Sequence, residues 1–194
     1  MSTRLPAAAR REQLLSVALE VFARQGFHGT AMNDVAEAAG VTKPVLYQHF
    51  QSKRQLYLAL LDEVGQRLRQ TIEKAGTDSG GPRAQVEAGF RAYFRWVKDD
   101  RDSFLLLFGS GARRDEEFAE AVRRFEIAIA DTIAPLIQAD IDPDHQRLLA
   151  HALVGLAEGT SRRLLALGGD FNPEQVAAQV ADLAWAGLRG VRRV

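Results

Sequence analysis

The chain contains no cysteine. That excludes a disulfide framework, a thiolate nucleophile and a thiolate metal site. Histidine is sparse, with four in all. His28 and His49 fall in the N-terminal quarter, and His145 and His151 are too far apart to share a helix face as an i, i+4 metal pair would. The acidic cluster Asp140, Asp142, Asp144 and His145 matches no EF-hand loop, and Asp142 before Pro143 reads better as a helix cap. There is no GxSxG, no P-loop and no GxGxxG in a strand context. No catalytic residue, metal or cofactor is therefore assigned, and an enzyme is not expected. No apolar run approaches the ~20 residues that span a bilayer, and residues 1–11 are polar and basic, unlike a signal peptide. The expected location is the cytoplasm, without membrane contact. An excess of one charge is missing as well: 25 Lys/Arg balance 25 Asp/Glu.

What is present is an ordinary globular composition, 46% hydrophobic and 26% charged over 194 residues, enough for one domain or two modest ones. The charge is unevenly placed. Residues 1–75 hold 10 Lys/Arg and 7 Asp/Glu, whereas residues 76–194 hold 15 and 18. Between Ala38 and Leu61 there is no acid, while Lys43, Lys53 and Arg54 are present, and Arg4, Arg10 and Arg11 add a basic N-terminal arm. An asymmetry this small acquires meaning only beside a motif.

The hydrophobic period is helical throughout, and the spacing predicts an all-α chain of about nine helices with no convincing strand. Leu14, Leu15, Ala18, Val21 and Phe22 make the stripe of a first helix. Thr30 is placed to cap a second, carrying Met32, Val35, Ala36 and Ala39, and Thr42 to cap a short third, with Pro44 in its first turn and an end near His49. Ser52 with Gln55 is a capping-box pattern opening a longer helix to about Lys74. The loop Gly76–Pro82 is the clearest punctuation. Beyond it, Val86, Phe90, Tyr93, Phe94 and Val97 form a stripe, Asp99–Asp102 a break, and Ser103–Gly109 a short apolar helix. A further helix from about Asp115 is stopped or kinked by Pro135. Asp142-Pro143 opens a helix ending at Gly168-Gly169, and Asn172-Pro173 opens the last, to about Val191. These marks divide the chain into residues 1–52, a connecting helix over 53–75, and a C-terminal domain over 83–194.

Three helix starts in about two dozen residues is the densest feature of the chain. From Thr30 to Tyr57 the order is short helix, tight turn, short helix, and the start of a third. Ala36 lets two helices approach closely, Gly40 permits the turn, and Val41 and Leu46 fill the small core beneath. This is the spacing of a helix-turn-helix, whose second helix is sized for the major groove of DNA. The segment Leu14–Glu63, with GFHGT ending at Thr30, the Gly40-Val41-Thr42 turn, and Tyr47, His49, Phe50 and Lys53, resembles the DNA-binding domain of the TetR family of bacterial transcription regulators.

That resemblance implies an N-terminal helix-turn-helix domain followed by a helical ligand-binding and dimerisation domain. It places Thr42, Lys43, Pro44, Tyr47 and His49 at or near double-stranded DNA. Chemistry adds to it. Lys43 suits a phosphate or a guanine edge, Gln48 pairs adenine bidentately, and Lys53 at a helix start adds its charge to the backbone N–H groups there. Thr30 opens the preceding helix and is assigned a phosphate contact in addition to its capping role. Core packing is the competing reading for Tyr47 and the preferred one for Phe50.

In the C-terminal part the aromatics cluster. Phe90, Tyr93, Phe94, Phe104, Phe108, Phe118 and Phe125 are the candidates to line an apolar pocket for a small hydrophobic effector, with filling of the core as the alternative for each. Tyr93, Arg91 and Arg95 are the polar groups near this stripe that could orient a polar head. FRAYFRW at 90–96 and DRDSFLLLFG at 100–109 resemble a subgroup of actinobacterial TetR regulators linked to fatty-acid metabolism, which implies a fatty acyl effector. Ala152, Gly155 and Gly159 on one helix, and Val176, Val180, Leu183 and Gly187 on the last, are small and apolar residues at helical spacing. The resemblance implies that these two helices pair with their counterparts in a homodimer, which would present two recognition helices to a palindromic operator. The expected function is a ligand-responsive repressor. A transcriptional activator, or a helical small-molecule-binding protein or enzyme with a vestigial helix-turn-helix, are the alternatives.

Overall fold

Proline and its flanking polar residues set most of the helix boundaries. The computed structural model describes residues 6–77, 80–109 and 115–191. Among the described residues there are nine α-helices and no strand. They are α1 (Ala7–Gly29), α2 (Met32–Ala38), α3 (Lys43–His49), α4 (Lys53–Thr77), α5 (Pro82–Asp99), α6 (Arg101–Phe108), α7 (Glu116–Ile133), α8 (Pro143–Ala166) and α9 (Pro173–Gly190), with one 3₁₀ turn, Ala134–Leu136, after α7. Pro44, Pro82, Pro143 and Pro173 lie in first turns, where a missing N–H leaves no hydrogen bond unmade. Pro135 lies in the 3₁₀ turn that ends α7, as the sequence predicts. Arg4 of the basic arm, and part of the Gly76–Pro82 loop, lie outside the described residues.

Two caps follow the sequence. Asp142 accepts from the N–H groups of Asp144 and His145, both at 3.0 Å, and these bonds hold its carboxyl below the usual range. Asn172 accepts from Glu174 at 3.0 Å and Gln175 at 3.2 Å. At α4, Ser52 Oγ accepts from Gln55 N–H, while the Gln55 side chain closes onto Gln51 N–H rather than Ser52.

Neither threonine expected to cap uses its hydroxyl to do so, although Thr42 does hold the N-cap position of α3. Thr30 does not cap α2: its hydroxyl donates to Gly26 O at 2.8 Å and its side chain is buried. Gly26 has φ +70°, which kinks α1 three residues before its end and frees that carbonyl. The N-cap of α2 is Ala31, whose N–H donates to the Asp34 carboxylate at 2.8 Å. Thr42 does precede α3, but its hydroxyl makes no capping bond; its carbonyl closes the turn, accepting from Val45 and Leu46.

The chain forms two compact units, Met1–Val64 with Asp102–Val122, and Gly65–Arg101 with Arg123–Val194. This partition differs from the boundaries read from sequence: it cuts within α4 and assigns 102–122 to the first unit. The reason is the Phe118 ring, which is fully buried 4.8 Å from Phe27 and 4.5 Å from Tyr57. Burying such a ring contributes about 1.5–3 kcal/mol, with ~0.5–1.5 kcal/mol more per aromatic pair. The neighbouring pairs of Arg54 with Asp115 (2.7 Å) and Glu117 (2.8 Å) are exposed and contribute less. Leu14, Ala18, Val35, Leu46 and Leu56 complete this unit's core.

In the second unit, α5 packs along α9 over most of its length and more sparsely on α8. Phe94 and Val97 point inward, and Ala130, Ala134, Ile137 and Ala150 form a further apolar cluster.

Candidate nucleic-acid interface

The turn between α2 and α3 is built on Gly40, at φ +63°. A Cβ there would strain the left-handed backbone, although space is open around it. Gly40 N–H donates to Glu37 O and Val41 N–H to Ala36 O, both at 3.0 Å, which reverses the chain tightly. Ala36 and Leu46 are buried beneath the turn. Phe50 is buried at the end of α3 with the Arg11 guanidinium 4.6 Å over its ring, so the core reading of Phe50 holds.

Burial of Leu46 sets which side of α3 faces out. Lys43, Pro44, Tyr47 and Gln48 occur at i, i+1, i+4 and i+5, and all four are exposed, as is Thr42 just before them. Tyr47 is 41% exposed, which answers the alternative that it packs in the core. His49 is half-buried, its ring 6.5 Å from that of Phe50. This is a short helix with one continuous exposed face, on which Lys43, Tyr47 and Gln48 offer hydrogen-bonding groups, narrow enough for a major groove.

Two of the candidate contacts are turned inward. Thr30 presents neither its hydroxyl nor its side chain to solvent. The Lys53 ammonium donates to Phe27 O and Thr30 O, each at 2.7 Å, and lies 4.6 Å over the Phe27 ring. Lys53 thus closes the carbonyls where α1 ends and positions α2. Arg54, a second cation of the acid-free segment, is neutralised by Asp115 and Glu117 and lies 4.8 Å over the Phe118 ring. These pairings raise the Arg54 guanidinium above its ordinary value and hold the Asp115 carboxyl at about 2. Sequence alone offers no signal for either clamp.

A helix-turn-helix with this exposed face is found in a chain whose two halves both match one family. Residues 14–60 match the bacterial regulatory proteins of the tetR family, and residues 82–187 match the tetracyclin repressor-like C-terminal domain. The chain belongs to the TetR family. It is 32% identical over 190 residues to the HTH-type transcriptional activator FasR of Mycolicibacterium smegmatis, covering 97% of this chain and 87% of FasR. A TetR-like transcriptional regulator from Rhodococcus sp. RHA1 superposes with a TM-score of 0.78 at 30% identity, covering 97% of this chain and all of that one. FadR from Bacillus subtilis, solved in complex with stearoyl-CoA, shares the fold at a TM-score of 0.80 and 15% identity, over 93% of this chain and 99% of FadR. The protein is accordingly a TetR-family transcriptional regulator and not an enzyme.

The C-terminal half of a TetR chain carries the effector and dimer candidates. The seven aromatics fall in both units. Phe104, Phe108 and Phe118 belong to the first unit, with Phe104 and Phe108 5.1 Å apart. Phe90, Tyr93, Phe94 and Phe125 belong to the second, where Phe90 stacks on Phe94 at 6.2 Å and Tyr93 meets Phe94 edge-on at 5.4 Å. All but the half-buried Phe125 are buried. Phe125 lies against Gly65, where a Cβ would come within 2.7 Å of its ring. Arg91 and Arg95 are exposed and both pair with Glu174 at the start of α9, so neither turns toward the aromatics.

On α8, Ala152, Gly155 and Gly159 are exposed. On α9, Leu183 is 64% exposed and Gly187 is exposed, whereas Val180 is buried and Val176 half-buried. A Cβ built on Gly155, Gly159 or Gly187 would meet nothing within 4 Å. Packing inside the protomer therefore gives no reason for these glycines. Among the described residues no helix is long and apolar enough to cross a membrane.

Proposed function

We propose that the protein is a homodimeric, cytoplasmic operator-binding regulator that reads a palindromic DNA site and is released from it by a hydrophobic acyl effector. The observation that carries the DNA reading is the exposed Lys43–Pro44–Tyr47–Gln48 face of α3, held outward by buried Leu46. Lys43 and Tyr47 are the phosphate and base-edge contacts of this reading, and Gln48 is the candidate adenine reader. His49 and Thr42 border that face. The exposed small-residue faces of α8 and α9 support the dimer, since they allow close approach of a second copy. FadR of B. subtilis, with the same fold, binds stearoyl-CoA, which supports a fatty acyl effector.

In this reading the effector acts through α4, which belongs to both units, and changes the spacing of the two recognition helices. A coupling of ~1–3 kcal/mol corresponds to a 5- to 150-fold loss of DNA affinity. Repression follows where the operator overlaps a promoter. The activator name of FasR favours a second reading, in which the same binding recruits transcription.

The test is selection of bound DNA from a random pool, followed by anisotropy on the enriched site with and without stearoyl-CoA. An enriched palindrome released by stearoyl-CoA supports the reading. A folded protein that enriches no sequence at moderate salt overturns it.

A further inference from the structure

Two hydroxyls in the second unit are buried without a hydrogen-bond partner among the described residues: Tyr93 Oη on α5 and Ser161 Oγ on α8. Tyr93 is 6% exposed and Ser161 is fully buried. The two hydroxyls lie near enough to interact with each other, yet neither makes a well-formed hydrogen bond, and buried polar groups are nearly always paired, so the pair calls for a further partner. The surroundings point to a ligand. Gln85, Gly89 and Tyr93 fall at i, i+4 and i+8 on α5, and the Gln85 side-chain carbonyl is a third buried orphan. Gly89 between them is half-buried, yet a Cβ there would meet nothing within 4 Å. Helix α5 touches α8 only sparsely, while it packs closely on α9. This stripe therefore combines open space with unpaired oxygen.

We infer that Tyr93 and Ser161 form a two-hydroxyl clamp for a neutral carbonyl oxygen at the head of an apolar effector, as in a thioester. The inference rests on the acyl-effector reading above and assigns its polar contacts. Both groups are uncharged donors, and burial pushes the Tyr93 phenol well up, so it keeps its proton at any physiological pH. Phe94, edge-on at 5.4 Å, and Trp96, at 6.0 Å, make the setting apolar. The nearest charges are Glu158 and Arg162, which pair with each other at 2.8 Å on α8, leaving no uncompensated cation to hold a bare carboxylate. A carbonyl has two lone pairs and can accept from both hydroxyls at once.

The experiment compares the full-length protein with its Tyr93→Phe and Ser161→Ala variants by titration calorimetry. The probes are stearoyl-CoA, S-octadecyl-CoA, in which a thioether replaces the thioester and so removes the carbonyl, and stearate. The clamp predicts about five- to tenfold weaker stearoyl-CoA binding for each variant, with S-octadecyl-CoA binding unchanged by either substitution. It also predicts that stearate binds the wild type more weakly than stearoyl-CoA. Thermal melting should change little in either variant, because neither hydroxyl makes a well-formed hydrogen bond within the protein. If the wild type binds stearoyl-CoA and both variants bind it equally well, the clamp is overturned and the acyl reading stands. If the folded wild type binds neither CoA probe, both fall together.

Discussion

Replacing Lys53 with Met keeps the aliphatic stem and removes the ammonium. That ammonium donates two charge-assisted bonds of 2.7 Å, to Phe27 O and Thr30 O, and lies over the Phe27 ring. A hydrogen bond to a charged group contributes about 1.5–3 kcal/mol, but this site is only part-buried, so about 2 kcal/mol for the two together is reasonable. The cation–π contact adds about 0.5–1 kcal/mol. A loss of about 2.5–3 kcal/mol lowers Tm by roughly 5–12 °C in a chain of this size. DNA binding should weaken as well, because α2 loses its anchor to the end of α1. The salt dependence should keep nearly its wild-type slope, since the lost cation is engaged within the protein. Circular dichroism melting and anisotropy at several salt concentrations read both quantities. A variant with wild-type Tm and a salt slope reduced by about one unit would show that Lys53 is a phosphate ligand and refute the inward clamp.

Other substitutions separate surface from scaffold. Tyr47→Phe should weaken operator binding several-fold with Tm unchanged, because the phenol is on the exposed face of α3; a clear drop in Tm would place Tyr47 in the core after all. Gly187→Leu should leave the protomer folded, since nothing lies within 4 Å of the new Cβ, while shifting sedimentation toward monomer; an intact dimer would remove this face of α9 from the interface. Asp115 has its carboxyl lowered from an ordinary 3.8 to about 2, chiefly by Arg54. A lowered value stabilises the fold above the ordinary one, so this contribution disappears as pH falls from about 4 to 2. Asp115→Asn should flatten that part of the acid-unfolding curve relative to wild type, and superimposable curves would mean the Arg54 pairing contributes nothing in solution.

The site was legible to different depths. The exposed face of α3 follows from helical period once Leu46 is assigned to the core, and Gly40 announces its turn because few other residues tolerate φ +63°. Thr30 and Thr42 have the side chains of good caps, yet neither hydroxyl caps. A kink at Gly26 offers Thr30 a nearer acceptor, and Ala31 takes the cap position with help from Asp34. A threonine's chemistry is visible in sequence, but the carbonyl within its reach is not. The seven aromatics read as one pocket because all of them lie on α5, α6 and α7, and the fold assigns them to both units.

By itself the sequence determined the all-α class, the order of the helices found among the described residues, the caps at Asp142 and Asn172, and membership in the family. These rest on interactions within a few residues, which spacing records directly. Tertiary structure alone decided how the charges are used. Lys53 meets carbonyls 23 and 26 residues away, and Arg54 meets carboxylates 61 and 63 away. It also brought the Tyr93 and Ser161 hydroxyls into one interior. Such partners are separated by whole helices, and only the packing of those helices selects which groups come within hydrogen-bond reach.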